Sequence, residues 1–292
     1  MAQFSLHSTV GAVQDYFGDA GRLLFPVDRP FSPDETLSQI SNPGHYIWYS
    51  NIKAAKTVEI VNYLAGQQRK RQIFYPIYSQ TEVAAHPSRR NTGLYFFKGK
   101  AGAPFAVNNA GGGFYYVAGM QDSFPHALEL SKRGYNAFAL IYRPTNPYED
   151  LARAITFIED HASELEVDQQ NYSLWGGSAG ARMAAELGNG DTLRQLTGRT
   201  DIPQAAAVIM QYTGYGKVSP ADAPTYVSVG DSDWIADWRG MKQRLYYLDQ
   251  MGIPTEFHVY HGLHHGFGLG QGTVAEGWIN DAIKFWQDNM SK

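Results

Sequence analysis

The stretch that decides the fold is Tyr172–Leu187, YSLWGGSAGARMAAEL. Its first four residues favour a strand, and the alanine-rich part favours a helix. Between the two, residues 176–180 read GGSAG and fit the pattern G-x-S-x-G. A serine on a sharp strand-to-helix turn needs small residues two positions to either side, because larger side chains would collide there. The stretch therefore predicts an exposed nucleophile, Ser178, with the amide of Ala179 at the helix start, where negative charge is favoured.

Strands and helices are predicted to alternate on both sides of this turn. Short apolar runs predict strands that are buried on both faces, and the longer segments between them carry apolar residues at helical spacing. The predicted strands are 105–107, 137–142, 172–175, 205–210, 225–229 and 256–260, and the predicted helices are 123–133, 148–161, 178–187, 238–251 and 273–287. This order is typical of the α/β class, with a mostly parallel central sheet covered by helices on both faces.

The first hundred residues follow a different pattern. Residues 71–79 and 92–98 predict two more strands, which we expect to open the sheet as a hairpin. Residues 1–70 are aromatic and rich in turns, with a predicted helix over 52–67. We therefore divide the chain into an N-terminal extension, residues 1–70, and an α/β domain, residues 71–292. Two interpretations of the extension stay open: a cap over the active site, or ordinary packing against the core.

The composition excludes several classes of function. The chain has 292 residues and a net charge of −4, so it has no electrostatic preference for nucleic acid or an anionic membrane. It has no cysteine, which excludes disulfides, thiolate metal sites and a cysteine nucleophile.

Neither a signal peptide nor a membrane-spanning run is recognisable, so we expect a cytoplasmic protein. The basic run at 69–71 is interpreted as a solvated helix end. We expect no cofactor, and a homodimer is compatible with the sequence.

A glycine run lies upstream of Ser178, after the first predicted strand of the alternation. Residues 111–114 read GGGF, and successive residues without Cβ let backbone amides point into a site. The run is therefore a candidate oxyanion hole. A phosphate-binding loop is the alternative interpretation, but neither G-K-[ST] nor G-x-G-x-x-G continues the run.

An acid and a histidine follow the last two predicted strands. After residue 229, both Asp231 and Asp233 are candidates for the carboxylate that orients an imidazole, and the residues alone do not choose between them. The loop after residue 260 carries histidines that could act as general base, with His265 among them. Zinc is the alternative for this loop, but the spacing lacks H-E-x-x-H, so we expect no metal site. The order Ser, acid, His is that of an α/β-hydrolase.

These motifs give the chain a resemblance to the acetyl-esterase and hormone-sensitive-lipase-like branch of the α/β-hydrolases. It covers about residues 92–286 and rests on GGGF, GGSAG, the G-x-x-D of 230–233 and the H-G-F of 265–267. It implies the α/β-hydrolase fold, a cap over the pocket, Asp233 as the acid and His265 as the base. The oxyanion amides it implies are those of Gly112, Gly113 and Ala179. One departure is Ala110, because the family usually has a histidine directly before the glycines.

The expected activity is that of a serine carboxylic-ester hydrolase which forms an acyl-enzyme on Ser178. We expect a small ester with a short acyl or acetyl group, acetylated sugars included, because aromatic residues follow the strand ends and narrow the acyl pocket. These aromatic residues are Phe114, Tyr212, Tyr215 and Trp234, for which core packing is the alternative. A serine peptidase or amidase on the same fold is the alternative activity, and a non-catalytic ligand-binding homologue is a further one.

Overall fold

Eight strands form one sheet in the computed structural model, which describes residues 3–291. The order across the sheet is β1-β2-β4-β3-β5-β6-β7-β8. Strand β2 pairs antiparallel with β1 and β4, and all other neighbours are parallel. The strands are β1 (Phe74–Tyr75), β2 (Gly93–Phe97), β3 (Ala103–Asn109), β4 (Asn136–Ile141), β5 (Val167–Gly177), β6 (Ala207–Gln211), β7 (Thr225–Gly230) and β8 (Thr255–Tyr260).

Helices cover both faces of this sheet. Helix α6 packs against β3 and β4, and α9 packs against β5 and β6. The helices are α1 (Val10–Phe17), α2 (Leu37–Ile40), α3 (Ala54–Gln68), α4 (Gln80–Ala85), α5 (Gly119–Asp122), α6 (Phe124–Lys132), α7 (Pro147–Asp160), α8 (Ala162–Leu165), α9 (Ala179–Gly188), α10 (Gly190–Thr197), α11 (Trp238–Gln250) and α12 (Trp278–Asp288). Single 3-10 turns span Gly18–Gly21 and Pro87–Asn91. None of the helices described is long and apolar enough to cross a bilayer.

The central strands are apolar on both faces because both faces are covered. Every residue of β4, β6 and β7 is buried, as a parallel sheet between two helical layers requires. Aromatic rings join neighbouring strands: Phe96 stacks on Phe138 at 4.4 Å between ring centroids, and Phe105 stacks on Tyr172 at 4.9 Å. The predicted α/β class with a mostly parallel sheet is confirmed.

Three sequence predictions for single elements are wrong. The strand predicted over 71–79 is reduced to Phe74–Tyr75, because Pro76 has no N–H to continue the ladder. It pairs with β2 as expected, but α4 and a 3-10 turn separate the two strands, so they do not form a hairpin. The helix predicted over 273–287 begins at Trp278, because Gly277 at φ 90° interrupts helical backbone before it.

The N-terminal extension packs into the body of the protein. Its helix α3 buries Ile60 and Leu64 completely in the hydrophobic core. Its segment 46–51 reaches the loops around Ser178: the Tyr116 hydroxyl donates to the carbonyl of Ile47 at 2.7 Å, and the Ser50 amide donates to the carbonyl of Gly266 at 3.2 Å. The basic run at 69–71 is exposed beyond the end of α3. The first two residues of the predicted extension lie outside the described residues.

Candidate active site

The turn between β5 and α9 holds Ser178 in a strained conformation. Its φ and ψ are 53° and −117°, a region that residues other than glycine rarely adopt and that often marks functional sites. The glycines on either side are required by close contacts. A Cβ on Gly176 would lie 2.1 Å from the carbonyl oxygen of Gly180, and one on Gly180 would lie 1.9 Å from that of Asn109. The G-x-S-x-G spacing therefore reflects backbone atoms that touch at this turn.

Ser178, His265 and Asp233 form one hydrogen-bonded chain. The Nε2 atom of His265 lies 3.0 Å from the Ser178 hydroxyl oxygen, and its Nδ1 lies 2.8 Å from Oδ2 of Asp233. The other carboxylate oxygen of Asp233 accepts the amides of Ile235 and Ala236, both at 2.8 Å. The Asp233 side chain is fully buried, and that of His265 nearly so. A buried carboxylate that faces Nδ1 favours the tautomer with its proton there, which leaves Nε2 free to accept the serine proton.

The second acid candidate, Asp231, pairs elsewhere. Its carboxylate contacts Nδ1 of His261 at 2.8 Å and accepts the Gly262 amide at 2.7 Å. The neighbouring His261, together with the Gly262 amide, lowers the pKa of Asp231. The His261 side chain is 97% exposed, so this pair lies at the surface. Geometry thus joins Asp233 to the Ser178–His265 pair and leaves Asp231 in a surface turn.

The remaining histidines of the region also have separate partners. His264 lies 3.0 Å from the carbonyl oxygen of Ser232 through Nδ1, and His258 lies 2.6 Å from a carboxylate oxygen of Glu256. In the described part of the chain, no group of three or more potential ligands is placed to hold a metal ion.

The glycine loop lies directly against Ser178. A Cβ on Gly111 would come within 2.9 Å of both the Ser178 Cβ and the carbonyl oxygen of Gly177, so only glycine fits. Gly112 and Gly113 follow at φ 126° and 63°. Within residues 3–291 the amides of Gly112, Gly113 and Ala179 donate to no protein acceptor, which leaves them available to a ligand. These are the donors that an oxyanion hole beside Ser178 would use.

A buried carboxylate that the sequence analysis missed holds this loop in place. Oδ2 of Asp122 accepts the Gly111 amide at 2.9 Å and the Tyr49 hydroxyl at 2.7 Å, while Oδ1 accepts the Tyr212 hydroxyl at 2.6 Å. Asp122 is 2% exposed and forms no ion pair with the residues described here. Burial and the nearby Asp122 raise the pKa of both tyrosines, so both hydroxyls keep their protons. Asp122 thereby ties the extension, the glycine loop and the end of β6 together.

The loop lacks the family's usual histidine but has other supports. Ala110, in its place, is fully buried, and its carbonyl accepts the Tyr142 hydroxyl at 2.7 Å. No sequence signal marked Asp122 or Tyr49, because neither belongs to a motif or follows a strand end. Their role depends on contacts between segments that are 73 residues apart.

The four predicted pocket residues lie in different surroundings. Phe114 is partly exposed and packs against Tyr148, with 6.1 Å between ring centroids. Tyr212 is fully buried, and its ring packs against that of His265 with 5.0 Å between ring centroids. It therefore supports the histidine and does not line an accessible surface. Tyr215 is 8% exposed, and Trp234 is 76% exposed at the surface beside Asp233. Of the four, Phe114 and Trp234 are at least partly exposed, whereas Tyr212 and Tyr215 are buried.

A family model described as BD-FAE matches residues 94–235. The matched segment contains the glycine loop, Ser178 and Asp233, while His265 lies beyond it. The endo-1,4-beta-xylanase B of Butyrivibrio fibrisolvens is 29% identical over an alignment of 118 residues, which covers 35% of this chain and 18% of the xylanase. The chain thus spans less than a fifth of the length of this curated relative.

Solved structures share the arrangement of strands and helices. An acetyl ester-xyloside bifunctional hydrolase from Caldicellulosiruptor lactoaceticus superposes with a TM-score of 0.65 at 20% identity, over 75% of this chain and 96% of that one. A carboxylesterase from Lactobacillus plantarum superposes with a TM-score of 0.58 at 20% identity, over 69% and 94%. At this identity the likeness establishes the fold. The chain is therefore an α/β-hydrolase by fold, as its sequence predicted, with a segment that matches BD-FAE.

Proposed function

We propose that this protein is a serine hydrolase that cleaves small carboxylic esters through an acyl-enzyme on Ser178. The observation that carries the proposal is the hydrogen-bonded chain Ser178–His265–Asp233, with successive contacts of 3.0 and 2.8 Å, beside three amides that donate to no acceptor in the described part of the protein. A nucleophile, a base, an orienting acid and a set of oxyanion donors are the complete requirements of acyl transfer.

In the proposed acylation step, the proton of Ser178 passes through His265 to the leaving alcohol. His265 Nε2 takes the hydroxyl proton as Oγ of Ser178 attacks the ester carbonyl, and the carbonyl oxygen becomes an oxyanion held by the amides of Gly112, Gly113 and Ala179. The tetrahedral intermediate collapses, His265 gives the proton to the departing alkoxide, and an alcohol leaves. Asp233 stays ionised and stabilises the imidazolium that forms between the two transfers.

Deacylation repeats these steps with water. His265 removes a proton from a water molecule, the resulting hydroxide attacks the acyl carbonyl, and the same three amides hold the oxyanion. The proton then returns to Oγ of Ser178 as the carboxylic acid departs. The strained turn supports both half-reactions, because it keeps Oγ outside the sheet edge and in line with His265.

We propose short acyl groups, acetyl above all, as the preferred substrates. The bulky Phe114 directly follows the glycine loop, and Trp48 approaches the same loop from the extension, since a Cβ on Gly113 would lie 2.9 Å from its ring. A small space next to the oxyanion donors favours a small acyl group. The similar structure from Caldicellulosiruptor lactoaceticus is that of an acetyl ester-xyloside bifunctional hydrolase. Acetylated sugars are therefore included in the proposed class.

We propose that residues 46–51 of the extension form one wall of the site. Tyr49 contacts Asp122, and Asn51 Nδ2 donates to the carbonyls of Phe267 at 3.4 Å and Gln271 at 3.2 Å. This segment therefore contacts both the support of the glycine loop and the loop that carries the base.

A series of p-nitrophenyl esters from acetate to long acyl chains tests the proposed function. Wild type should hydrolyse the short members fastest, and Ser178→Ala should lose activity by several orders of magnitude. Ser232→Ala, which removes an exposed hydroxyl that contacts only Asp231, is the matched control and should keep it. Activity retained by Ser178→Ala would refute the nucleophile. Hydrolysis of p-nitroanilides but not of esters would show an amidase instead.

A further inference from the structure

An open cleft of about 320 Å³ is formed by residues that follow Ser178 on α9 and Gln211 at the end of β6. It is lined by Arg182, Thr213, Gly214, Tyr215, Gly216 and Lys217. Its two walls continue the two segments that hold the nucleophile: the Arg182 amide donates to the Ser178 carbonyl at 3.2 Å, and the Ser178 amide donates to the carbonyl of Gln211 at 2.9 Å. The cleft and the nucleophile are therefore carried by the same two segments of the chain.

Arg182 is the exposed residue of α9, whose other residues are buried or partly buried. It follows Ser178 by four positions, so it lies one helical turn along the same side of the helix. Its guanidinium is close to the Tyr148 hydroxyl: burial raises the pKa of Tyr148, and the positive charge of Arg182 opposes that rise. Tyr148 in turn packs against Phe114, the residue that follows the glycine loop, with 6.1 Å between ring centroids.

Arg182 forms no ion pair with any carboxylate in the range 3–291. Glu186, four residues further along α9, is bonded at 3.0 Å to Lys217 Nζ. The cleft therefore presents two cations against one carboxylate that already has a partner. An arginine without an acidic partner is suited to a carboxylate, which it can bind with two parallel N–H donors.

We propose that Arg182, with Lys217 at the rim of the cleft, binds an acidic group of the substrate. This carboxylate belongs either to the acyl half or to the alcohol half of the ester. The inference rests on the proposed function and makes it narrower: the preferred ester carries a negative charge. It assigns to Arg182 a role in substrate selection that is separate from the chemistry at Ser178.

Two matched pairs of esters test the inference and separate the two halves. For the acyl half, p-nitrophenyl hydrogen adipate is compared with p-nitrophenyl hexanoate. For the alcohol half, p-acetoxybenzoate is compared with its methyl ester. The readout is the ratio of kcat/KM for the acidic ester to that for the neutral one, so differences in intrinsic reactivity cancel between variants.

Arg182→Gln should lower this ratio by about tenfold in one of the two pairs, mainly through a higher KM for the acidic ester. Arg182→Lys should retain part of the preference. Added salt should reduce the wild-type ratio, because the charges are solvent-accessible. Arg194→Gln is the matched control: it removes the same charge from exposed α10, where Arg194 pairs with Asp191, and should leave the ratio unchanged. An Arg182→Gln ratio equal to wild type in both pairs would overturn the inference.

Binding without turnover separates this inference from the proposed function. Adipate and p-hydroxybenzoate are titrated, by ligand-observed NMR, into Ser178→Ala and into the double variant Ser178→Ala, Arg182→Gln. Binding that is lost only in the double variant supports the anion site even if wild type hydrolyses no ester, in which case the proposed function alone fails. Equal binding to both variants, or to neither, would refute the anion site.

Discussion

At the scale of single residues, the two aspartates after β7 give a sharp test of the site. Asp233→Asn would turn an amide donor toward Nδ1 of His265, favour the wrong tautomer and lower kcat by about 10⁴-fold. Asp231→Asn should keep nearly all activity, because its partner His261 is exposed and far from the chemistry. The measurement is kcat for p-nitrophenyl acetate with both variants. A large loss in Asp231→Asn and none in Asp233→Asn would reverse the assignment.

Asp122 is a positioning residue, because it acts on the glycine loop and does not touch the reacting atoms. Asp122→Asn replaces one acceptor oxygen by a donor, so the Gly111 amide or a tyrosine hydroxyl loses its partner and the loop shifts. We expect kcat to fall by about 10²-fold, the scale of a lost oxyanion donor, with little change in KM.

Tyr49→Phe provides the graded comparison for Asp122→Asn, since it removes one of three donors and should cause a smaller fall in kcat. Both variants are compared with wild type by thermal unfolding. If Asp122→Asn lowered Tm but left kcat unchanged, the carboxylate would be structural only.

At the scale of elements, helix α7 carries a carboxylate whose environment makes stability depend on pH. Glu159 is buried near the end of α7, and its Oε1 has no partner among the residues described. Burial raises its pKa from 4.5 to about 7, so the folded protein binds this proton more tightly than the unfolded chain. The resulting stabilisation is fully present below the unfolded value and is lost as pH rises through about 7.

Glu159→Gln removes this titration while it keeps the hydrogen-bonding shape. The Tm of the variant should equal that of wild type near about pH 5 and exceed it at about pH 8. Calorimetry of both proteins at several pH values between these two measures the difference. Glu164→Gln, at an exposed position of α8, removes the same charge and controls for net charge. A Tm difference that does not change with pH would refute the assignment to Glu159.

The elements show which part of the fold can be predicted from sequence. The buried strands and their crossover helices were predictable because apolar runs and helical periodicity are local signals. β1 is shorter than predicted because a proline ends it, and α12 begins later than predicted because a glycine in the left-handed conformation precedes it. Helix α10 was missed, although Asn189 caps it by accepting two amides at 3.1 Å, because its exposed surface gives a weak apolar pattern.

At the scale of the whole molecule, the extension and the α/β domain share one core. Leu37 and Ile60 of the extension are fully buried, and the Tyr95 hydroxyl on β2 donates to the carbonyl of Ala20. We therefore expect the fragment 71–292, produced alone, to unfold or aggregate, because it would expose a large apolar surface. Near-UV circular dichroism and thermal unfolding of the fragment check this. A fragment that folds cooperatively would show that the extension is a separable cap.

The residues of the site that belong to sequence motifs could be predicted, and those outside the motifs could not. Ser178, the glycine loop and the histidine loop each follow a strand at the same sheet edge, so their sequence patterns point to one place. The residues alone left Asp231 and Asp233 open, the family resemblance implied Asp233, and the structure joins Asp233 to His265. The contacts of Asp122 with Tyr49 and Tyr212 could be seen only in the fold. Such contacts join distant segments, and no local pattern in a single sequence encodes them.

The most direct test of the central claim is reaction with a fluorophosphonate, followed by mass spectrometry of the intact protein and its peptides. We predict one adduct per chain, on the peptide that contains Ser178, and none in Ser178→Ala. Its formation should slow sharply in His265→Ala, because the hydroxyl then lacks its base. An adduct on another residue, or labelling of Ser178→Ala at the wild-type rate, would contradict the account.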